Sequence, residues 1–131
     1  MTKHHKEAII SDQAPKALGP YSAGIRIGNM IFTAGQLGIL PATGEFAPGG
    51  IEAETRQAFA NLAAILASAG ASLDNVVKTT VFMRDLGDFA RMNSVYAEFF
   101  QPPYPARSTI QAAALPKGGA VEIEAIAILP E

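Results

Sequence analysis

One arginine and two glutamates near the C-terminus are the residues best suited to chemistry. Arg107 follows Pro105 at the start of a predicted strand, in the stretch YPARSTIQAA, and Glu122 and Glu124 alternate with apolar residues in the last predicted strand. A guanidinium at a pocket edge can hold a substrate carboxylate through two parallel N–H···O bonds, and a nearby carboxylate can accept a proton. The alternatives are an ordinary surface cation and a solvated strand edge.

Three other residues could shape such a site. Asn93 lies four residues after Phe89 on the apolar face of a predicted helix, so its buried amide either anchors a loop backbone or contributes to a pocket. Tyr21, in GPYSAG, sits among small residues and is placed to close over a cavity. Gly35, in FTAGQ, allows backbone to approach a ligand closely and leaves its N–H free to donate. Each motif is a weak signal by itself.

The residue types exclude several kinds of active site. The 131 residues include no cysteine, which excludes disulfides, thiolate nucleophiles and cysteine-based metal sites. His4 and His5 are the only histidines, and we expect both to be solvated tail residues. The body of the chain therefore cannot build a Ser-His-Asp triad or a zinc site, and we expect no metal.

Charge and hydropathy narrow the possible partners. The formal net charge is −2, and lysines and arginines are scattered singly, so we expect no nucleic-acid partner. No segment approaches 18 consecutive apolar residues, and MTKHHKEAII lacks the apolar run of a secretory signal, so we expect no membrane association and a cytoplasmic location. A composition of 49% hydrophobic and 17% charged residues favours a homo-oligomer that hides apolar surface.

The periodicity of apolar residues predicts an α+β fold in one domain, residues 1–131. Gly28-Asn29 predicts a hairpin turn. Asp85 is a plausible cap for the second helix, and Pro102 ends it. The predicted elements are a hairpin at 25–36, a loop at 37–50, helices at about 52–69 and 85–100, and strands at 75–85, 106–113 and 120–129.

The predicted order places both helices on one face of a mixed sheet. The last strand carries apolar residues on both sides, so another subunit is the simplest cover for the face without helices. If the last two strands form a hairpin, Arg107 and Glu122 lie roughly 15–20 Å apart. They then meet only across a subunit boundary, or if the two strands are not hairpin partners.

Six segments, in this order and spacing, resemble the RidA family, also called YjgF or UK114. They are GPYSAG, IFTAGQLG, NVVKTTVFMRDL, DFARMNSVYAEFF, YPARSTIQAAALP and VEIEAIA, and the resemblance runs from about residue 8 to the C-terminus. It implies a chorismate-mutase-like fold, with two helices on one face of a mixed six-stranded sheet. It also implies a homotrimer with a central barrel and ligand sites between subunits.

The resemblance also implies an activity, that of the reactive intermediate deaminases. These hydrolyse 2-imino acids such as 2-iminopropanoate and 2-iminobutanoate to 2-oxo acids and ammonia, without a cofactor or metal. The imines are tautomers of enamines released by pyridoxal-phosphate-dependent dehydratases. By position, Arg107 matches the family's carboxylate-binding arginine, and Glu122 matches the acidic residue associated with the water. Tyr21, Gly35 and Asn93 match further substrate-binding positions.

Two departures from the family pattern affect the expected site. Thr109 stands where many members have cysteine, at a position that contributes mostly backbone contacts, and we include it among the substrate-binding residues. Ala34 stands where many bacterial members have serine, which puts substrate preference in question more than reaction class. The alternatives to a deaminase are a non-catalytic protein that binds small carboxylates for regulation, and a chaperone-like or RNA-cleaving protein of the same fold.

Overall fold

The computed structural model describes residues 5–130. Short 3-10 turns lie at Leu73–Asn75, Leu86–Asp88 and Pro116–Gly118. The strands and α-helices are β1 (Glu7–Ile9), β2 (Gly24–Ile27), β3 (Met30–Thr33), β4 (Gln36–Leu37), α1 (Gly50–Ser68), β5 (Val76–Met83), α2 (Phe89–Tyr96), β6 (Ala106–Gln111) and β7 (Val121–Ile128).

The strands form one mixed sheet in the order β1-β2-β3-β7-β5-β6, with β4 also paired to β7. Only β5 and β6 are parallel among these pairs, because α2 connects them as a crossover. Strands β3 and β4 lie end to end along β7, so the seven strands fill six positions across the sheet. The expected mixed, six-position sheet with two helices is confirmed.

A bulge separates β3 from β4. Phe32 is paired with Ile126 and Gln36 with Ile123, so three residues, 33–35, face only two residues of β7. The Thr33 hydroxyl accepts a hydrogen bond from the Ala125 N–H at 3.0 Å and fills part of the gap in the ladder. The bulge brings the backbone of residues 34–35 to the part of β7 that carries the two glutamates.

Helix α1 supplies most of the helical side of the core. Helical periodicity predicts an apolar stripe at Ala58, Phe59, Leu62, Ile65, Leu66 and Ala69; the first five are fully buried, and Ala69, which follows the helix, is partly buried. The five buried residues belong to one cluster with the inward-facing residues of β7, namely Val121, Ile123, Ala125 and Ala127. The Phe59 ring contacts the rings of Tyr96, Phe99 and Phe100 at centroid distances of 5.4, 4.7 and 5.4 Å. These aromatic contacts fix α2 against α1.

The opposite face of the sheet is covered by neither helix. Glu122, Glu124, Ile126 and Ile128 of β7 alternate with its buried residues and therefore point to this face. Apolar side chains remain partly exposed there, including Phe32 at 37% and Ile110 at 49%. We call this the helix-free face. Within residues 5–130 it has no cover, as expected from the order of the elements.

The predicted second helix was wrong in detail, and the fold decides the pairing of the last two strands, which the sequence left open. Helix α2 ends at Tyr96 rather than near Phe100, and a 3-10 turn at Leu86–Asp88 precedes it. Asp85 does act as a cap, but for that 3-10 turn, where its carboxylate accepts the Gly87 N–H at 2.8 Å. Strands β6 and β7 are not hairpin partners, because β5 lies between them. The three-residue strand β1 was not predicted.

Other expectations concern the tail and possible metal or membrane sites. His5 is exposed, and His4 lies outside the described residues. No helix within residues 5–130 is long and apolar enough to cross a membrane. In that same part of the chain, no three histidine, aspartate or glutamate side chains come together as a potential metal-binding group.

The packing of Phe59 predicts a large effect on stability. Phe59→Ala should lower the free energy of unfolding by about 3–5 kcal/mol, because it leaves a cavity among three aromatic rings. Leu86→Ala is the control, since Leu86 is 41% exposed, and it should change the same quantity by roughly 0.5 kcal/mol or less. Urea unfolding at a fixed chain concentration measures both, and equal losses would contradict this description of the core.

Candidate active site

The first part of the candidate site lies beside β6 and α2. The register pairs Arg107 of β6 with Thr79 of β5, whose side chain points toward the helices. Arg107 therefore projects to the helix side of the sheet. It lines a cavity of about 420 Å³. The other lining residues are Asn93, Tyr96, Ala97, Tyr104 and Pro105.

Aromatic rings hold the Arg107 guanidinium. Its Cζ lies 4.6 Å from the centre of the Tyr96 ring and 5.5 Å from that of Phe89, which is cation–π geometry. The Tyr96 hydroxyl shares a 2.8 Å hydrogen bond with the Thr79 hydroxyl in the buried interior, and this bond fixes the ring. No carboxylate within residues 5–130 forms an ion pair with Arg107. The N–H donors of the cation therefore remain free for a ligand.

The aromatic part of this arrangement was not predicted from the sequence. Phe89 and Tyr96 lie in the stretch predicted only as a helix with an apolar face, and no role was predicted for Tyr104. Tyr104 is 56% exposed and lines the cavity beside Arg107. The available signal was the position of Asn93 on the same helix face as Phe89 and Tyr96, since one polar residue within an aromatic stripe is unusual.

Two buried oxygens near Arg107 have no hydrogen-bond partner in residues 5–130, the Asn93 Oδ1 and the Thr109 Oγ1. Thr109 lies two residues after Arg107 and shares its face of β6. Asn93 lines the same cavity as Arg107. An unsatisfied buried oxygen costs free energy, about 1–3 kcal/mol, unless a ligand or water supplies a donor. The Asn93 oxygen is thus suited to accept a hydrogen bond from a bound molecule, whereas Thr109 does not line the cavity.

The second part of the candidate site is on the helix-free face. Tyr21, Gly35 and Glu122 line a cavity of about 250 Å³, and Lys16 and Lys117 lie at its border. Tyr21 is 52% exposed, and its hydroxyl accepts a hydrogen bond from the Leu18 N–H at 3.2 Å. A neighbouring cavity of about 800 Å³ shares Tyr21 and both lysines. The second part therefore continues into a larger apolar space.

Gly35 is required by a close contact with Glu122. A Cβ at position 35 would lie 2.8 Å from the Glu122 Cδ and Cγ, closer than nonbonded carbons approach in folded proteins. The carboxyl group of Glu122 thus packs directly on the backbone of the bulge between β3 and β4. Ala34 is held next to it by its N–H, which donates to the Ala23 carbonyl at 2.8 Å. The bulge and the first residues of β7 form one unit.

Burial changes the acidity of Glu122. Desolvation raises the pKa of its carboxyl above the ordinary value, and the negative charge of Glu124 raises the pKa further. The neutral form therefore persists to higher pH than in a solvated glutamate. A carboxyl whose pKa is nearer to the working pH can both accept a proton and give it back during one reaction more readily than an ordinary glutamate.

The structure does not bring Arg107 and Glu122 together within one chain. Arg107 is opposite Thr79, and Thr79 is opposite Ala125, three residues from Glu122 along β7. Two strand spacings across and three residues along correspond to a separation of about 14 Å between the two backbone positions. The side chains also point to opposite faces. The first part carries Arg107, Asn93 and Thr109, and the second part carries Tyr21, Gly35 and Glu122.

Comparison with known proteins identifies the family. Residues 11–129 match the model of the family described as Endoribonuclease L-PSP. The 2-iminobutanoate/2-iminopropanoate deaminase of Bos taurus is 48% identical over 123 residues, which cover 94% of this chain and 90% of the bovine protein. The chain belongs to this family, the RidA/YjgF family that the sequence motifs resemble.

Solved structures agree with this assignment. RidA from the Antarctic bacterium Psychrobacter sp. PAMC 21119 has a TM-score of 0.90 and 46% identity, covering 94% of this chain and 99% of its own. The crystal structure of E. coli TdcF with bound serine also has a TM-score of 0.90, with 44% identity over 95% of this chain and 99% of TdcF. The fold is therefore shared along almost the whole length of these relatives.

The cation–π contact predicts a role for Tyr96 in carboxylate binding. Tyr96→Leu should weaken the binding of a small carboxylate such as 2-oxobutanoate by roughly 3- to 30-fold, because a partly desolvated cation–π contact contributes about 0.5–2 kcal/mol. Tyr96→Phe keeps the ring and should lose less affinity for the carboxylate than Tyr96→Leu. Titration calorimetry measures the affinities at a temperature where circular dichroism shows both variants folded. Unchanged affinity in Tyr96→Leu would show that the ring does not position Arg107.

The electrostatic contact within β7 predicts a pKa change. Glu124→Gln should lower the pKa of Glu122, because it removes a like charge, while burial should keep that pKa above the ordinary glutamate value. Side-chain carboxyl NMR as a function of pH measures the change. Glu7→Gln, an exposed substitution on β1, is the control and should leave the Glu122 titration where it was. An identical Glu122 titration curve in Glu124→Gln would contradict the coupling.

Proposed function

We propose that this chain is an imine deaminase that hydrolyses small 2-imino acids, such as 2-iminopropanoate and 2-iminobutanoate, to 2-oxo acids and ammonia. The observation that carries the proposal is the Arg107 guanidinium, which is held by two aromatic rings and has no carboxylate partner within residues 5–130. A permanent cation in that state is prepared for a carboxylate ligand. The activity named for the bovine relative supplies the reaction.

A bound amino acid in a relative supports the same ligand class. The TdcF structure contains serine, which carries the α-carboxylate that a 2-imino acid also carries. In this chain, two N–H groups of Arg107 would hold that carboxylate. The free Oδ1 of Asn93 would accept a hydrogen bond from the nitrogen of the substrate. These contacts orient the imine carbon without a covalent bond to the protein.

The chemistry then needs only water and proton transfer. Glu122, as a carboxylate, takes a proton from water while the water oxygen bonds to the imine carbon. One electron pair of the C=N bond moves to the nitrogen, which takes that proton from Glu122, so a neutral carbinolamine forms and Glu122 is again a carboxylate. Glu122 then takes the hydroxyl proton and passes it to the amine, the C–N bond breaks as ammonia leaves, and the C=O bond of the 2-oxo acid forms. General acid–base help of this kind is typically worth about 10²–10⁴-fold.

A homotrimer would unite the two parts of the site. Arg107 and Glu122 are on opposite faces of the sheet, so a second subunit must bring one part to the other. The helix-free face offers partly exposed apolar side chains for such an interface, including Phe32 and Ile110. We propose that the sheets of three chains pack around a central barrel through this face, with a complete site at each boundary.

The source of the substrate and the cellular location are part of the proposal. Pyridoxal-phosphate-dependent dehydratases that act on serine or threonine release enamines, and these tautomerise to the imines hydrolysed here. We place the protein in the cytoplasm, where such enzymes act. The RNA cleavage named in the family description is not favoured, since the net charge is −2 and basic residues are scattered singly.

A coupled assay tests the activity. A threonine dehydratase generates 2-iminobutanoate, and its decay is followed by absorbance with increasing amounts of this protein. Arg107→Ala should lose roughly 10²-fold or more in kcat/KM, because a desolvated charge-assisted pair contributes about 1.5–3 kcal/mol per bond. Arg107→Lys should recover little of the lost kcat/KM, since it keeps the charge and lacks the two parallel N–H donors of a guanidinium. Glu122→Gln should keep the affinity for the substrate carboxylate and lower kcat, because it removes the proton acceptor.

The controls separate folding from chemistry. Each variant should sediment with the mass of about three chains, as the wild type should. No acceleration of imine decay by the wild type at any concentration would refute the deaminase proposal. A stable wild-type monomer at micromolar concentration would refute the trimer. Near-normal turnover in Arg107→Ala would show that Arg107 is an ordinary surface cation.

A further inference from the structure

Helix α1 carries a buried carboxylate that has no place in the proposed chemistry. Glu54 is 9% exposed, and its Oε1 accepts a hydrogen bond from the Ala120 N–H at 2.9 Å. Ala120 directly precedes β7, and Glu122 is the second residue of that strand. Burying a carboxylate costs free energy unless hydrogen bonds replace those it made to water. The contact fixes the beginning of β7 relative to α1.

A second buried polar side chain holds the other half of the same unit. Asn61 lies seven residues after Glu54, two turns along the same side of α1. It is fully buried, and its Nδ2 donates to the carbonyls of Leu37 and Ile39 at 3.1 and 2.9 Å. Its Oδ1 accepts from Gln57, so the amide is held in one orientation. The contact fixes the backbone that follows the bulge at Gly35.

The packing between these two contacts leaves little freedom. A Cβ at Gly38 would lie 2.4 Å from the Glu54 Cα and carbonyl oxygen, so the chain after β4 lies directly on the backbone of α1. A Cβ at Gly119 would lie 2.8 Å from the Leu37 side chain. The end of β4 thus packs directly on α1, and the residues that precede β7 pack on β4. Both contacts lie within a few residues of the Gly35–Glu122 contact.

We propose that Glu54 is a positioning residue for Glu122, with Asn61 as its counterpart on the β4 side. Glu54 sets the start of β7, Asn61 sets the end of β4, and together they determine how closely the Glu122 carboxyl packs on Gly35. The inference rests on the proposed role of Glu122 in proton transfer. Neither residue lines the cavities of the candidate site, so both act through the backbone that positions Glu122.

The test uses substitutions matched in shape and position. Glu54→Met removes the acceptor for Ala120 and keeps the length of the side chain, while Glu54→Gln keeps an acceptor oxygen. Glu52→Met is the control, because Glu52 lies on the same helix with a side chain that is 41% exposed. If Glu54→Met does not fold, Glu54→Ser replaces it, since its short side chain leaves room for a water at Ala120. All are studied in the full chain.

Two measurements separate positioning from general stability. In Glu54→Met, kcat for imine hydrolysis should fall roughly 10- to 100-fold with KM nearly unchanged, because a misplaced catalytic group is costly while the Arg107 part is intact. The Glu122 pKa, followed by carboxyl NMR, should fall toward the ordinary value as the carboxyl loses its cover. The other titratable groups near it are Glu124, Tyr21, Lys16 and Lys117, and none of them is changed.

The outcomes decide the inference. Glu54→Gln should restore both kcat and the Glu122 titration, and Glu52→Met should alter neither. If Glu54→Met, or Glu54→Ser in its place, lowers only the melting temperature and leaves kcat and the Glu122 titration unchanged, Glu54 is structural and the inference is wrong. If the wild type hydrolyses no imine, the proposed function fails, and the NMR comparison still decides whether Glu54 positions Glu122.

Discussion

The two-residue alternation of strand β7, the strand that pairs with β3, β4 and β5, is the constraint on which the rest of the structure depends. The apolar residues at every second position of this strand, from Val121 to Ala127, must face the helices to close the core. Glu122 is consequently forced onto the helix-free face. A shift of one residue would bury the glutamates and expose the core, so the register of β7 determines both stability and the place of the candidate proton acceptor.

The same constraint, applied to β6, separates the charges of the site. Parallel pairing with β5 puts Arg107 on the helix side, where its guanidinium makes cation–π contacts with aromatic rings. These contacts leave its N–H donors free. Glu122 is on the other side, half-buried against the bulge backbone, with the pKa of its carboxyl raised by burial. A cation and a carboxylate that do not neutralise each other within the chain each keep their capacity for a ligand. Assembly would then complete the site, which needs no histidine or cysteine.

Sequence patterns predicted the longer elements and singled out most residues of the candidate site, whose roles stay predictions. The apolar stripe of α1, the hairpin at Gly28 and the strand that carries Glu122 all follow from local periodicity. The resemblance supplied the expected roles of these residues and added Thr109 to them. Local patterns contain no information about which strands are neighbours, so the sequence left open whether β6 and β7 form a hairpin, and the fold places β5 between them.

Other features depended on tertiary contacts that no short motif encodes. The reason for glycine at position 35 is the Glu122 carboxyl that packs on it, 87 positions away in the chain. The cation–π contacts of Arg107 were hidden because Phe89 and Tyr96 fit an ordinary helical core stripe. The burial of Glu54 and Asn61 was not predicted, since a polar residue on a long helix is most often solvated. Their burial is visible only once the loop after β4 is in place.

The central claim is that a complete site takes Arg107 from one chain and Glu122 from another. Arg107→Ala and Glu122→Gln proteins, each inactive alone, are mixed in equal amounts, dissociated and reassembled, and imine hydrolysis is measured. With random assembly, about a quarter of the subunit boundaries combine an intact Arg107 with an intact Glu122. The account predicts recovery of about a quarter of the wild-type activity. No recovery, from mixed trimers whose composition is verified by mass spectrometry, would contradict it.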